Sequence, residues 1–306
     1  MKYGGISMRK NLIYKLGLLA VVGFGILTGC GAQSVSSDNA TNSDAATVTN
    51  HTGDSKDTIK FGTCPGPYGD MIKYAIKPGL EEKGYKVEII EFSDYVQPNL
   101  ALGKGEVDAN MFQHSIYLEN FKTEHSLELS NLINIPTVGL GIYSNKYTDL
   151  SQVETGATLT VPNDVTNLRR ALKEAQNAGL LTIDETVDVT SFSEKNIKDN
   201  PLNLTITPVE AAQLPRTLQS SDLAAIPGNY ALSAGIDLDS AIYKEVLAEE
   251  MKNVIAVQTK DIDSQFVKDI LEVVQSEGFK DVIESSDYEF SSFQKPDWYT
   301  QKWQIQ

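Results

Sequence analysis

From Thr58 onward, apolar residues come in short runs of two-residue period separated by longer stretches of helical period. Residues 59–62 predict a strand, the Cys64-Pro65-Gly66-Pro67 run a loop, residues 70–84 a helix disturbed at Pro78, and residues 86–92 a second strand ending at Phe92. Pro98 marks a helix start, with Leu100, Ala101 and Leu102 as its apolar patch and Gly103-Lys104-Gly105 as its stop. Val107, Ala109 and Met111 then read as a strand delivering Phe112, Gln113, His114 and Tyr117 to its C-terminal edge. Residues 134–143 predict a strand leaving the first lobe. After it come a strand at 158–161, a helix at 166–178 closed by Gly179, a strand at 187–190, a helix at 209–218 and a strand at 223–226. Gly228 begins the return, followed by a strand at 252–259, an amphipathic helix at 264–278 and a tail carrying Trp298 and Trp303. Strands alternating with helices imply an α/β fold with mostly parallel sheets. Such sheets hold ligands beyond the C-terminal ends of their strands. Tyr95 and the Phe112/His114/Tyr117 group, on neighbouring edges, therefore predict one concave wall for a small molecule.

The first 57 residues follow other rules. Arg9, Lys10 and Lys15 precede an apolar run, Leu16 to Leu27, which is shorter than the roughly 20 residues a spanning helix needs. Residues 1–29 thus read as an export signal, with Met8 an alternative start. The run ends Leu27-Thr28-Gly29-Cys30, which is similar to the site cut by lipoprotein signal peptidase and makes Cys30 the lipidated N-terminus. An ordinary signal with an incidental cysteine is the other reading. Two acyl chains on Cys30 suffice for stable anchoring, where one is marginal. Residues 30–57 are rich in Ser, Thr, Asn, Asp and Ala, a composition that cannot bury enough surface to order itself, and predict a tether containing His51.

Composition narrows the function. Of 306 residues, 41% are hydrophobic and 22% charged, ordinary for a folded globular chain, and a net charge of −15 argues against nucleic acid as a partner. Two cysteines and three histidines, far apart in sequence, offer no metal-ligand spacing, and no cofactor motif is present. Cys64 with His114 as base would be the sole candidate for a nucleophilic pair; a buried, inert cysteine is the alternative, and the chain reads as a non-enzyme.

The runs DYVQPNLAL (94–102), GE-D-N-FQH--YL (105–118), VPNDVTN-RRAL (161–172), EAAQLPR (210–216) and GNYAL (228–232) together resemble the methionine-type, NlpA-like family of substrate-binding lipoproteins that serve ABC importers. The likeness covers nearly all of residues 58–300. It implies a two-lobed, type II periplasmic-binding-protein-like clam-shell. Residues 58–139 plus 229–306 would form lobe 1 and residues 140–228 lobe 2. It also implies that Arg170 takes the ligand carboxylate, by the bidentate geometry a guanidinium offers, with Arg169 a possible second contact. Tyr95, Phe112, His114 and Tyr117 would surround the ligand side chain, and Asn253 would meet its amino-acid backbone.

Two positions depart from the family pattern. Pro227 stands where an asparagine is usual, so that Asn229 becomes a candidate replacement, and Tyr68 stands where a histidine is usual. The expectation is a monomeric, lipid-anchored receptor outside the cytoplasmic membrane that binds an amino acid, methionine first and a methionine-containing dipeptide next. It would hand that ligand to a permease and its ATPase. The rival expectation is a surface lipoprotein with an adhesive or scaffold role and a vestigial cleft.

Overall fold

The computed structural model describes residues 56–305. The export signal, Cys30, His51 and all but the last two residues of the tether lie outside them. Two five-stranded sheets carry the fold. The first contains β1 (Thr58–Thr63), β2 (Lys86–Glu91), β3 (Ala109–His114), β4 (Leu129–Asn134) and, last in sequence, β12 (Asn253–Gln258). The second contains β5 (Gly141–Tyr143), β6 (Thr158–Pro162), β9 (Thr205–Val209), β10 (Leu223–Ile226) and β11 (Tyr243–Lys244). A small hairpin, β7 (Thr182–Ile183) with β8 (Ile197–Asp199), stands apart.

Strand order is β2-β1-β3-β12-β4 in the first sheet and β9-β6-β10-β5-β11 in the second. In each, the first two pairings are parallel and the last two antiparallel. The same topology is therefore built twice, with β12 and β5, which adjoin the crossings between sheets, as the opposed strands. Apolar alternation explains the first core: Ile255 and Val257 of β12 join Ile59, Phe61, Ile270 and Phe279, while Val254 and Ala256 face Leu102, Leu118 and Leu129. A strand buried on both faces reads as the continuous apolar run NVIAV. The second core sets Leu159, Val161 and Leu223 against Leu168, Ala171, Leu172 and Ala175.

Helices α1 (Pro67–Met71) and α2 (Lys77–Glu82) are joined by a π-helical turn, Ile72–Ile76, just before Pro78; proline's missing N–H fits the wider turn there. Helix α3 (Gln97–Lys104) has Pro98 in its first turn and ends at Gly105, at φ 73°. Its first turn is satisfied by Asp94, whose Oδ1 accepts from the N–H groups of Val96 and Gln97. The other helices are α4 (Ser115–His125), α5 (Val165–Asn177), α6 (Leu214–Thr217), α7 (Gly228–Ser233), α8 (Gln265–Val274), α9 (Glu277–Glu284) and α10 (Asp297–Trp303).

Several expectations change. Residues 134–143 are not one strand: β4 ends at Asn134 and β5 begins at Gly141, and the segment between crosses from one sheet to the other. Residues 187–190 contain a 3-10 turn, Val189–Ser191, because Asp188 caps it through Thr190 N–H. The outer strand of the second sheet is instead β9, whose final residue, Val209, the helical reading of 209–218 had claimed. The span 264–278 breaks where the Ser276 side chain accepts from Phe279 N–H and starts α9. Most consequentially, the return is not at Gly228. Helix α7 packs with Tyr143 and Ile226 of the second sheet and with Leu214 of α6, and β11 is still paired to β5, so the chain returns after Lys244.

Candidate functional site

The two crossings lie side by side. Leu140 and Glu245 exchange backbone contacts through Glu245 N–H, 2.9 Å from Leu140 O, and Gln294 ties Thr137 to Glu245 through backbone and side chain. In front of them, between the sheets, is a cavity. Tyr68, Tyr95, Phe112, His114, Tyr117, Arg170, Pro227, Asn229 and Asn253 all line it, together with Gln113, Val138, Asn167 and Gly228.

Three neighbouring residues of β3 reach this one cavity, which a regular strand with its two-residue period forbids. The register against β12 accounts for it: Val254 pairs with Gln113 and Ile255 with Met111, leaving Phe112 as the extra residue of a β-bulge. A bulge re-aims side chains. Below it Gln113, Asn99 and Asn110 form a closed amide network, with bonds of 2.6, 2.7, 2.8 and 3.1 Å, so that no polar group of this floor is left dry.

His114 ends β3 and caps α4. Its Nδ1 accepts from Tyr117 N–H at 3.1 Å, which leaves the proton on Nε2, donated to Asn167 Oδ1 at 3.2 Å. Burial, reinforced by the positive charge of Arg170, lowers its pKa to about 3, so the ring is neutral at physiological pH. The aromatic wall centres on Tyr95, whose ring lies 5.8 Å from Phe112, 5.9 Å from Tyr117 and 5.0 Å from Tyr230. Burial raises the Tyr95 and Tyr68 hydroxyls far above the ordinary phenol range.

Opposite stands Arg170 on α5. The helix is capped by Asp164, which accepts from Asn167 N–H at 2.9 Å. Asn167 turns its amide inward, accepting from His114 and, at 3.3 Å, from Arg170 Nη1. Arg170 is 6% exposed and pairs with Glu245: Nε donates to Oε1 at 2.8 Å and Nη2 to Oε2 at 2.5 Å. Burial opposes its charge, but Glu245, with smaller contributions from Tyr95 and Tyr68, raises its pKa on balance and the guanidinium stays protonated.

The sheets also meet through side chains. Tyr95 donates to Asn229 Oδ1 at 2.7 Å and Asn229 Nδ2 donates to Pro65 O at 3.0 Å. Gly66 permits that approach: at φ 126°, a Cβ there would lie 2.6 Å from Asn229 O. Asn229 thus lines the cavity beside Pro227 but spends its amide on joining the two halves. Asn253 donates to Phe112 O at 3.0 Å, and its Oδ1 receives no hydrogen bond among the described residues.

A family model described as NlpA lipoprotein matches residues 59–298, from β1 into α10. The chain belongs to the NlpA lipoprotein family. It is similar to the methionine-binding lipoprotein MetQ of Bacillus subtilis, 32% identical over 274 residues, which cover 88% of this chain and 94% of that protein. To the D-methionine-binding lipoprotein MetQ of Salmonella typhi it is 34% identical over 222 residues, 72% of this chain and 82% of the relative. Among solved structures, a nutrient binding protein from Burkholderia cenocepacia bound to methionine superposes with a TM-score of 0.70 at 37% identity, covering 74% of this chain and 95% of that one. A periplasmic substrate-binding protein of an ABC transporter from Coxiella burnetii gives 0.69 at 34%, covering 74% and 95%. The fold is thus the two-lobed α/β architecture of periplasmic binding proteins.

Within this NlpA-family cleft one predicted residue is misplaced. Arg169 does not line the cavity; it lies over the Phe192 ring, 5.9 Å from its centroid, because a helix turns successive residues through about 100° and Arg170 takes the inward direction. Cys64 is buried among Phe112, Tyr117 and Phe121, donates to Asp94 O and, through burial, has a pKa well above a free thiol's, the opposite of an activated nucleophile. Sequence reasoning missed Asn167 as a lining residue and Glu245 altogether. Its only signal was a carboxylate in the segment read as the return to the first lobe.

Proposed function

We propose that the chain is a lipid-anchored receptor outside the cytoplasmic membrane that binds methionine and presents it to an ABC importer. The observation that carries this reading is the pairing, around one cavity, of a buried charged arginine with a wall of aromatic rings. Arg170 takes the carboxylate through Nη1 and the free N–H of Nη2, Asn253 Oδ1 accepts from the ammonium, and the rings hold the thioether, each sulfur–ring contact adding roughly 0.3–1.5 kcal/mol. Lobe 1 is formed by residues 58–139 with the chain from β12 onward, and lobe 2 by residues 140–244. Closure about the crossings traps the ligand. Among the described residues no helix is long and apolar enough to cross a membrane. The lipid on Cys30 is the anchor in this reading.

The deciding experiment is mass spectrometry of the purified protein, native and after ligand release, followed by calorimetry with L- and D-methionine, Gly-Met and leucine. Micromolar or tighter methionine binding, about −8 kcal/mol or better, is expected. Arg170→Ala loses it and Arg169→Ala retains it. A released dipeptide would move the assignment to that class and make Pro227 and Tyr68 the determinants.

A further inference from the structure

Glu245 holds the Nε edge of Arg170 and is not among the residues that line the cavity. Its carboxylate is 4% exposed and every contact is directed: Oε1 to Arg170 Nε, Oε2 to Arg170 Nη2 and to Leu140 N–H at 2.7 Å. It therefore joins both crossings to α5. Two consequences follow from this geometry. One edge of the guanidinium is occupied, so that only the end formed by Nη1 and the second N–H of Nη2 is presented to a ligand. The charge of the arginine is also cancelled at its source. The neighbouring carboxylate of Asp164 is likewise balanced, by the N-terminus of the helix it caps. The cavity, with His114 neutral, is thus lined by groups of little net charge.

We infer that Glu245 is a positioning and charge-balancing residue that makes the site select a zwitterion over an anion of the same shape. This deepens the methionine reading and rests on it. A lone buried arginine would accept any carboxylate and would bind an N-acylated amino acid as readily as a free one, steric fit aside. With Glu245 present, a ligand carboxylate enters an already neutral pair, and the ligand must bring its own positive charge to Asn253.

The test compares L-methionine with 3-(methylthio)propyl-carboxylate, which keeps the thioether chain and carboxylate and lacks the ammonium, on the wild-type protein, Glu245→Gln and Glu245→Asp. Calorimetry gives the ratio of the two Kd values and circular dichroism the fold. Glu245→Gln preserves size and hydrogen bonding and removes the charge; the ratio is expected to move toward the anion by at least tenfold. Glu245→Asp keeps the charge and loses reach, so both affinities fall while the ratio stays within about twofold. A folded Glu245→Gln in which both ligands weaken by one factor overturns the inference, as that is the mark of a merely structural role. If Glu245→Gln does not fold, a ratio that shifts toward the anion in Glu245→Asp overturns it instead. A wild-type protein that binds neither ligand refutes the methionine reading. One that binds the anion as tightly as methionine refutes the inference alone.

Discussion

His114 offers a quantitative test of how closed the cleft is. Its folded pKa is lowered to about 3, first by burial and then by Arg170, against the ordinary imidazole value of about 6.5 in an unfolded chain. Between these values the unfolded chain binds a proton that the folded chain refuses. The stability contributed is fully present above about pH 6.5 and is lost as pH falls toward 3, at about 1.36 kcal/mol per unit. At pH 5.0 the loss is about 2 kcal/mol, and at pH 4.5 about 2.7 kcal/mol. Many carboxylates titrate in the same range, so the measurement is a double difference. Urea midpoints of the wild-type protein and His114→Asn are compared at pH 7.5 and 5.0. Asparagine can still accept from Tyr117 N–H and cap α4, but cannot titrate. The variant should be less stable at pH 7.5 and should recover about 2 kcal/mol relative to wild type at pH 5.0. Stability curves that stay parallel between the two pH values would refute the reasoning, and would mean that the imidazole is reached by solvent through an opening cleft.

Three further outcomes are expected. Tyr95→Phe removes the hydroxyl that bonds Asn229 across the cleft at 2.7 Å. A hydrogen bond of about 0.5–1.5 kcal/mol corresponds to a rise of about 2- to 12-fold in the methionine Kd by calorimetry; an unchanged Kd would mean the bond is also made in the open form. In Gly228→Ala the added carbon would lie 2.4 Å from Val138 Cγ2 and 2.5 Å from Gly139 O, and the second is backbone. The strain is about 1–3 kcal/mol, read as a melting temperature lowered by several degrees, and a melt within one degree of wild type would contradict it. Arg170→Ala strands Glu245 as a buried, unpaired carboxylate, at a cost of about 3–5 kcal/mol. Its melting temperature should therefore fall even without ligand, whereas Arg169→Ala, which gives up its contact with the Phe192 ring, should melt close to wild type.

How much of this was legible in the sequence depends on the range of the interaction that fixes each part. Strands β1, β2, β6, β10 and β12 announce themselves because their apolar pattern is a local property of the chain. The aromatic wall was legible for a similar reason: Phe112, His114 and Tyr117 are close in sequence, on the end of one strand and the first turn of the next helix. The bulge at Phe112 that brings Gln113 to the same cavity as its two neighbours is set by pairing with β12, some 140 residues later, and no local pattern contains it. The outer strand β9 was missed because Thr205–Val209 includes Pro208, which local rules count against a strand; at a sheet edge the lost donor costs little.

Glu245 is the sharpest case. In the sequence it is one of many acidic residues, and its neighbour Val246 is largely exposed. What makes it different is that the chain stays in the second sheet through β11, so that position 245 falls where both crossings run side by side and Arg170 points back at them. Had the return come at Gly228, residue 245 would lie in the first lobe and Arg170 would face the cavity alone, free to swing with its own rotamers. The displaced boundary and the unforeseen ion pair are therefore one finding. Pairing of β11 with β5 puts a carboxylate where the two crossings run side by side, and that carboxylate holds the Nε edge of the arginine.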